Sequence, residues 1–430
     1  MQLPTAHLLA AGLVGVGAAA AQTPYDAELT VNTTGGRYTG FVDTATAPDV
    51  NQWRGVRYGQ APVGSRRFLP PLAAEDDGLH RYARDWPTWV QRMQTHIVVT
   101  FNYRLNVFGF PGANGAMTNA GFLDARLVVE WAKDNIEAFG GDPERMILWG
   151  QSAGAGLTAS YVYANGEDPI IAGAIANSGT VGIGPGSDDD SGSVNKFSQL
   201  ADIVGCGGLD AEEELECMQG IPAQTLQSVL QSGREDVPSF GAVVDNVTTF
   251  SNYTERLEKG LVAKIPLITG TTSNEAAALV GGFDKNATTP PPKLPNNPVG
   301  GFDCSLREEL KDRLDNGHIT YRYLFAGNFS NITPRYWLGA MHSSDLPLIF
   351  GTHYQFRGNS TELEWQTSYA MEDMWVAFAT DPSKDPSTSS GLVWPKYSPD
   401  GETVVLFGNG TEAAQLAPPS IADISDCSDG

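Results

Sequence analysis

Basic residues are scarce: 27 lysines and arginines stand against 50 aspartates and glutamates, a formal net charge of −23. A chain this acidic presents no cationic surface for a phosphate backbone, which sets aside nucleic-acid binding. Cysteine is scarce too, with four in 430 residues, and so few cannot staple a small disulfide-built scaffold together. Charged residues make up 18% and hydrophobic residues 41%, a balance that excludes an intrinsically disordered chain. No segment reaches the about 18 consecutive apolar residues that suggest a membrane-crossing helix. No Cys/His cluster has metal-ligand spacing, so neither metal nor cofactor is expected.

The first apolar stretch, Leu8 to Ala21 (LLAAGLVGVGAAAA), is short and ends in Ala19-Ala20-Ala21 before Gln22. An apolar run closed by an A-x-A site predicts a cleaved signal peptide over residues 1–21 and a secreted, extracellular product. Residues 22–430 then read as a single domain. N-x-S/T triplets at Asn32, Asn246, Asn252, Asn286, Asn328, Asn331, Asn359 and Asn409 predict N-glycosylation, with Pro334 making Asn331 a poor acceptor. An even cysteine count suits an oxidising compartment. Cys206 and Cys217 are close enough in sequence to close a small loop, and Cys304 with Cys427 is the remaining pair.

Through the middle of the chain, apolar β-branched runs alternate with helical periodicity. Ile97 to Phe101 reads as a strand buried in a parallel sheet, followed by a helix with Leu123, Leu127 and Trp131 on one face and a stop at Gly140-Gly141. Met146 to Trp149 is the next strand, Ala153 to Tyr163 the next helix, and Ile170 to Ile175 and Ile265 to Ile268 are further strands. Met371, Met374, Trp375 and Phe378 mark a late amphipathic helix. The alternation predicts an α/β fold with a mostly parallel sheet flanked by helices. Gly182 to Ser193, Asn286 to Gly301 and Asp381 to Gly391 are rich in Gly, Pro, Ser or Asp and read as loops.

Chemistry concentrates in Met146 to Gly156 (MILWGQSAGAG). A strand runs into Gly150-Gln151-Ser152-Ala153-Gly154, and small residues open a helix. This is the pattern of a nucleophile elbow, with Ser152 at a tight turn, flanking glycines that avoid collision there, and the Ala153 N–H facing a developing oxyanion. A serine needs a base, and the base needs an orienting carboxylate; in this arrangement they follow the serine in chain order. His80 and His96 precede Ser152, and His318 reads as the opening of a strand. His342, in a polar turn, is the candidate base, with His353 the runner-up. Glu275, just beyond the Ile265 to Ile268 strand, is the candidate acid, although a solvated loop glutamate has the same local pattern.

Several segments resemble the type B carboxylesterase/lipase family, the cholinesterase-like branch of the α/β-hydrolase fold. They include Trp53 to Pro71, Val98 to Pro111, Asn119 to Gly154 with its FGGDP…WGQSAG block, Asn177 to Gly179, Gly270 to Glu275, Gly339 to Gly351, Met374 to Pro382 and Trp394 to Tyr397. The resemblance implies Ser152 as nucleophile, Glu275 as acid, His342 as base and the Ala153 N–H in the oxyanion hole. It also implies Ser178 beside the triad and Arg104 with Asp142 as a buried structural ion pair. The Cys206–Cys217 bridge fits the same pattern. The implied function is hydrolysis of small-molecule or lipid carboxylic esters.

The sequence departs from the family between Pro71 and Asp85, where several dozen residues are missing, among them sheet strands and a His-Gly-Gly-Gly loop with further oxyanion donors. No Gly-Gly-Gly occurs in the chain. A second contraction lies between Glu275 and Cys304. The internal deletion carries an alternative, a catalytically impaired, cholinesterase-like binding protein or an incomplete gene model. Gln151 stands where cholinesterases carry a glutamate, which argues against a cationic choline ester.

Overall fold

The computed structural model describes residues 27–43, 47–82, 96–113, 118–181, 193–279, 301–333, 335–425 and 427. The proposed leader and the loops 182–192 and 286–300 lie outside them.

A six-stranded sheet organises the rest. Its strands are β1 (Ile147–Gln151), β2 (Gly173–Asn177), β3 (Leu267–Thr272), β4 (Thr320–Phe325), β5 (Val404–Asn409) and β6 (Glu412–Ala417), side by side in that order. The first five are parallel, and only β6 returns antiparallel, through the hairpin at Gly410. Alternation along the strands explains why their sequences are apolar throughout. Ala174, Ala176 and Leu267 join a core with Ala155, Val162 and Tyr163 from helix α1 (Ala153–Ala164). The intervening Ile175 and Ile268 point to the opposite core, with Tyr323, Trp394, Phe407 and Met374, Trp375 and Phe378 of helix α2 (Glu362–Thr380). Successive residues face opposite sides of a pleated strand, so a sheet covered on both faces needs apolar residues at every position. The apolar face at Met371–Phe378 is wholly buried, as its spacing indicated.

The helix expected around Leu123 to Trp131 spans Ala120–Asn135, continues as a 3-10 turn to Phe139, and stops at Gly140, whose φ of 86° is the left-handed cap. Asp381 to Gly391 is loop, with one isolated bridge from Ser387 to Val393. Both disulfides form, Cys206–Cys217 and Cys304–Cys427.

Two expectations are corrected. Ile97 to Phe101 is not a strand, and Ile97, Val98 and Val99 are 44%, 37% and 41% exposed. A strand exists only where a neighbour takes its backbone hydrogen bonds, and among the described residues no strand pairs with this run. Among the described residues β1 is the last strand of the sheet on that side. Arg104 does not meet Asp142. Its guanidinium grips both carboxylate oxygens of Asp124, at 2.8 and 2.7 Å, with both side chains largely buried. Asp142 lies in the surface turn after Gly141 and pairs with the exposed Arg145 at 2.7 Å. The signal was present in the sequence. Asp124 falls on the buried stripe of its helix, with Ala120, Val128 and Ala132, and a buried acid requires a cation.

Candidate active site

The candidate residues gather at the carboxyl ends of β1, β2 and β3, the usual ligand end of a parallel sheet. Ser152 follows β1 directly with φ 58° and ψ −122°. A non-glycine residue at positive φ is strained, and neighbouring contacts hold it there. Its N–H donates to Asn177 O at 2.9 Å, and its own carbonyl accepts from Ala155 N and Gly156 N at 2.9 and 3.0 Å. A Cβ on Gly150 would lie 1.9 Å from the Gly154 carbonyl oxygen, so glycine is obligatory before the turn. Gly154 is different, because a Cβ there would meet nothing within 4 Å; the expected collision holds on one side of the serine only. Gly179 is the other close approach, where a Cβ would sit 2.6 Å from Ser152 O. Ala153 opens α1 and is exposed, at the end of the helix where N–H groups lack intrahelical partners and negative charge is favoured.

Glu275 is not a solvated loop residue. It is fully buried at the start of the short helix Glu275–Leu279. Its Oε1 accepts from the Thr272 N–H at 2.7 Å, and its Oε2 contacts His342 Nδ1. The loops that carry the two residues are zipped together. Asn274 N donates to Ala340 O at 2.9 Å, Asn274 forms a parallel bridge with Met341, and its amide reaches Leu338 O at 2.7 Å. With the backbones paired at 274 and 341, the next residue on each is Glu275 and His342.

A carboxylate only accepts, so the contact puts the imidazole proton on Nδ1 and leaves a lone pair on Nε2. The Nε2 partner in this structure is the Gln151 amide nitrogen, 3.1 Å away. The Phe302 ring centroid lies 5.4 Å from that of His342. His353 is elsewhere, fully buried, with Nδ1 2.7 Å from Ser360 Oγ and 3.3 Å from Glu364. His318 precedes β4 by two residues, and burial together with Arg313 and Lys264 pushes its pKa down to about 4.

Ser178 is fully buried with φ 54°, and its N–H donates to Gly270 O at 2.8 Å between β2 and β3. Below the Glu275–His342 contact lies a polar network that motif reading does not reveal. Asn177 Nδ2 donates to Tyr323 OH at 2.7 Å, and Tyr323 OH donates to Asp345 Oδ2 at 3.0 Å. Asn177 Oδ1 accepts from Trp149 Nε1 at 2.7 Å. Burial and the nearby Glu275 raise the Asp345 pKa to about 6. Burial and Asp345 push the Tyr323 phenol well above its usual range. An aspartate three residues after His342, before the apolar run Leu346 to Phe350, was the available sequence signal.

The profile of the carboxylesterase family matches residues 89–293 and 301–420. The chain belongs to that family. This places it among the α/β-hydrolases and among carboxylic ester hydrolases. This carboxylesterase is 37% identical to the chlorogenic acid esterase of Aspergillus niger, with 96% of each chain covered. That alignment runs over 501 positions, more than the 430 residues here, so the relative carries internal segments this chain lacks. It is 43% identical to secreted lipase 5 of Gibberella zeae over 72% of this chain and 61% of the lipase. To the mouse cholinesterase it is 23% identical, over 72% of this chain and 60% of that one. Among the described residues of this esterase no helix is long and apolar enough to cross a membrane.

Proposed function

We propose that this esterase is secreted after removal of residues 1–21 and cleaves carboxylic esters through an acyl-serine intermediate. Ser152 is the nucleophile, His342 the base and Glu275 the residue that orients it. His342 Nε2 takes the Ser152 proton as Oγ attacks the carbonyl carbon. The oxyanion is met by the Ala153 N–H at the start of α1. The C–O bond then breaks as the imidazolium protonates the leaving alcohol, and a water activated by His342 releases the acid. The observation that carries this reading is the buried Glu275–His342 contact, built by loop pairing at the same sheet end where Ser152 is held at positive φ. Similarity to a chlorogenic acid esterase and to a secreted lipase supports small-molecule or lipid carboxylic esters as substrates. Exposed Asn32, Asn246, Asn252, Asn328, Asn359 and Asn409 suit N-glycosylation, whereas Asn331 is buried with its amide on Glu364 at 2.8 Å.

The test is hydrolysis of p-nitrophenyl butyrate, with Ser152→Ala as control. Turnover in the parent chain and none in the variant is expected, and equal rates would remove the assignment. A second reading, a cholinesterase-like binding protein with little turnover, draws on the length difference: a relative aligned over 96% of both chains carries internal segments this chain lacks, and among the described residues the sheet ends at β1. Fluorophosphonate labelling separates the two, because only an activated serine reacts.

A further inference from the structure

Gln151 is the last residue of β1 and precedes the serine. Its backbone is fixed opposite Asn177 in the β1–β2 ladder, while its side chain swings to His342. Glu275 occupies Nδ1 of that ring, so Nε2 carries the lone pair, and a lone pair 3.1 Å from an amide nitrogen accepts its N–H. The same lone pair is the one the proposed mechanism needs for the Ser152 proton. From this shared lone pair we infer that Gln151 is a latch on the base, capping His342 Nε2 in the substrate-free enzyme and releasing it when an ester enters. The inference rests on the acyl-serine reading above.

An amide suits this role as few side chains do. With neutral imidazole it offers an N–H to Nε2. Turned over, it offers a carbonyl oxygen to the imidazolium N–H formed during attack. A glutamate at this position would accept only from the charged ring and could not cap the neutral one. A latch on a neutral hydrogen bond is also light enough to open, since one such bond contributes about a three- to tenfold bias. Among the described residues, the charged groups facing the imidazole are Glu275 at Nδ1 and, behind it, Asp345 in electrostatic contact with Glu275. Neither competes with Gln151 for Nε2.

The inference is tested in the full-length protein with a small fluorophosphonate, which reports Ser152 reactivity in the absence of an ester. Gln151→Ala, and Gln151→Met as a variant of similar shape, should label about three to ten times faster than the parent chain, the weight of the lost cap. Gln151→Glu should move the acid limb of the kcat/KM profile upward by about one pH unit or more, because a carboxylate beside the ring favours imidazolium. Labelling of Ala and Met variants at or below the parent rate would overturn the latch. A measurement without substitution guards against misfolded variants: in the ¹⁵N-labelled parent protein, a scalar coupling across the N–H···N bond should connect Gln151 Nε2 with His342 Nε2. Its absence likewise overturns the inference. Labelling of the parent chain itself tests the acyl-serine reading separately, so an unlabelled parent that shows the coupling condemns that reading and not the contact.

Discussion

Glu275 touches His342 because Asn274 and Met341 are paired one residue earlier. The contact is therefore set by backbone register, and the carboxylate has a second anchor in the Thr272 N–H. Glu275→Gln keeps the size of the group, and its amide can present an N–H to the ring, which permits the wrong tautomer. Esterase turnover should fall about 10⁴-fold, as for an acid-to-amide change in a serine triad. An unchanged melting temperature would show that the loss is chemical.

The two histidines of the His342 to His353 stretch should separate cleanly. His342→Ala should abolish fluorophosphonate labelling in folded protein, with some stability lost because the buried Glu275 loses its partner. His353→Ala should keep labelling and lose stability. It empties a fully buried site packed 4.4 Å from the Trp365 ring and bonded to Ser360, at a cost of about 2–4 kcal/mol. Calorimetry beside labelling reads both, and loss of labelling in His353→Ala at a temperature where the protein is folded would reverse the assignment.

Asp345 predicts a pH-dependent gain. Its folded pKa, about 6, lies above the ordinary aspartate value because of burial and Glu275. The folded state therefore holds this proton more tightly than the unfolded state. Stability from this group is present at low pH and is lost as pH rises through about 4 to 6. Asp345→Asn can still accept from Tyr323 and removes the buried charge. It should stabilise by about 3 kcal/mol at pH 8 and by nothing below about pH 4. Denaturant midpoints at the two pH values check the sign.

The disulfides should differ in weight. Cys206 and Cys217 are 11 residues apart, and Cys304 and Cys427 are 123 apart. A cross-link restricts the unfolded chain more when it closes a longer loop, about 3 kcal/mol for a short loop and about 4–5 for one near a hundred residues. Replacing Cys304 and Cys427 with serine should therefore lower the denaturant midpoint more than replacing the other pair.

The contraction expected between Pro71 and Asp85 carries a kinetic prediction. On the proposed mechanism Ala153 is the single named oxyanion donor, and each missing donor typically costs about 10²–10³ in turnover. Inserting the segment that the family resemblance expects between Pro71 and Asp85 should raise kcat by about that factor and bury Ile97 to Val99. A chimera that folds with kcat unchanged would show that this chain has another source of oxyanion stabilisation.

The chain-local features were legible in the residues themselves. The serine turn, the helix stop at Gly140, the buried stripe of Met371, Met374 and Phe378, and the likeness to a family all rest on short spacings, which sterics and burial impose within one or two turns of chain. The strand expected at Ile97 to Phe101 was misread for the same reason, since an apolar run carries no information about whether a neighbour exists to pair with it. Tertiary structure decided what residue spacing left open: which histidine met Glu275, that the guanidinium of Arg104 reached Asp124 and not Asp142, and that the free lone pair of His342 was met by Gln151. Those outcomes depend on groups 20 to 191 residues apart arriving within hydrogen-bonding reach, and that distance is fixed by sheet order and loop pairing, not by the identity of either partner.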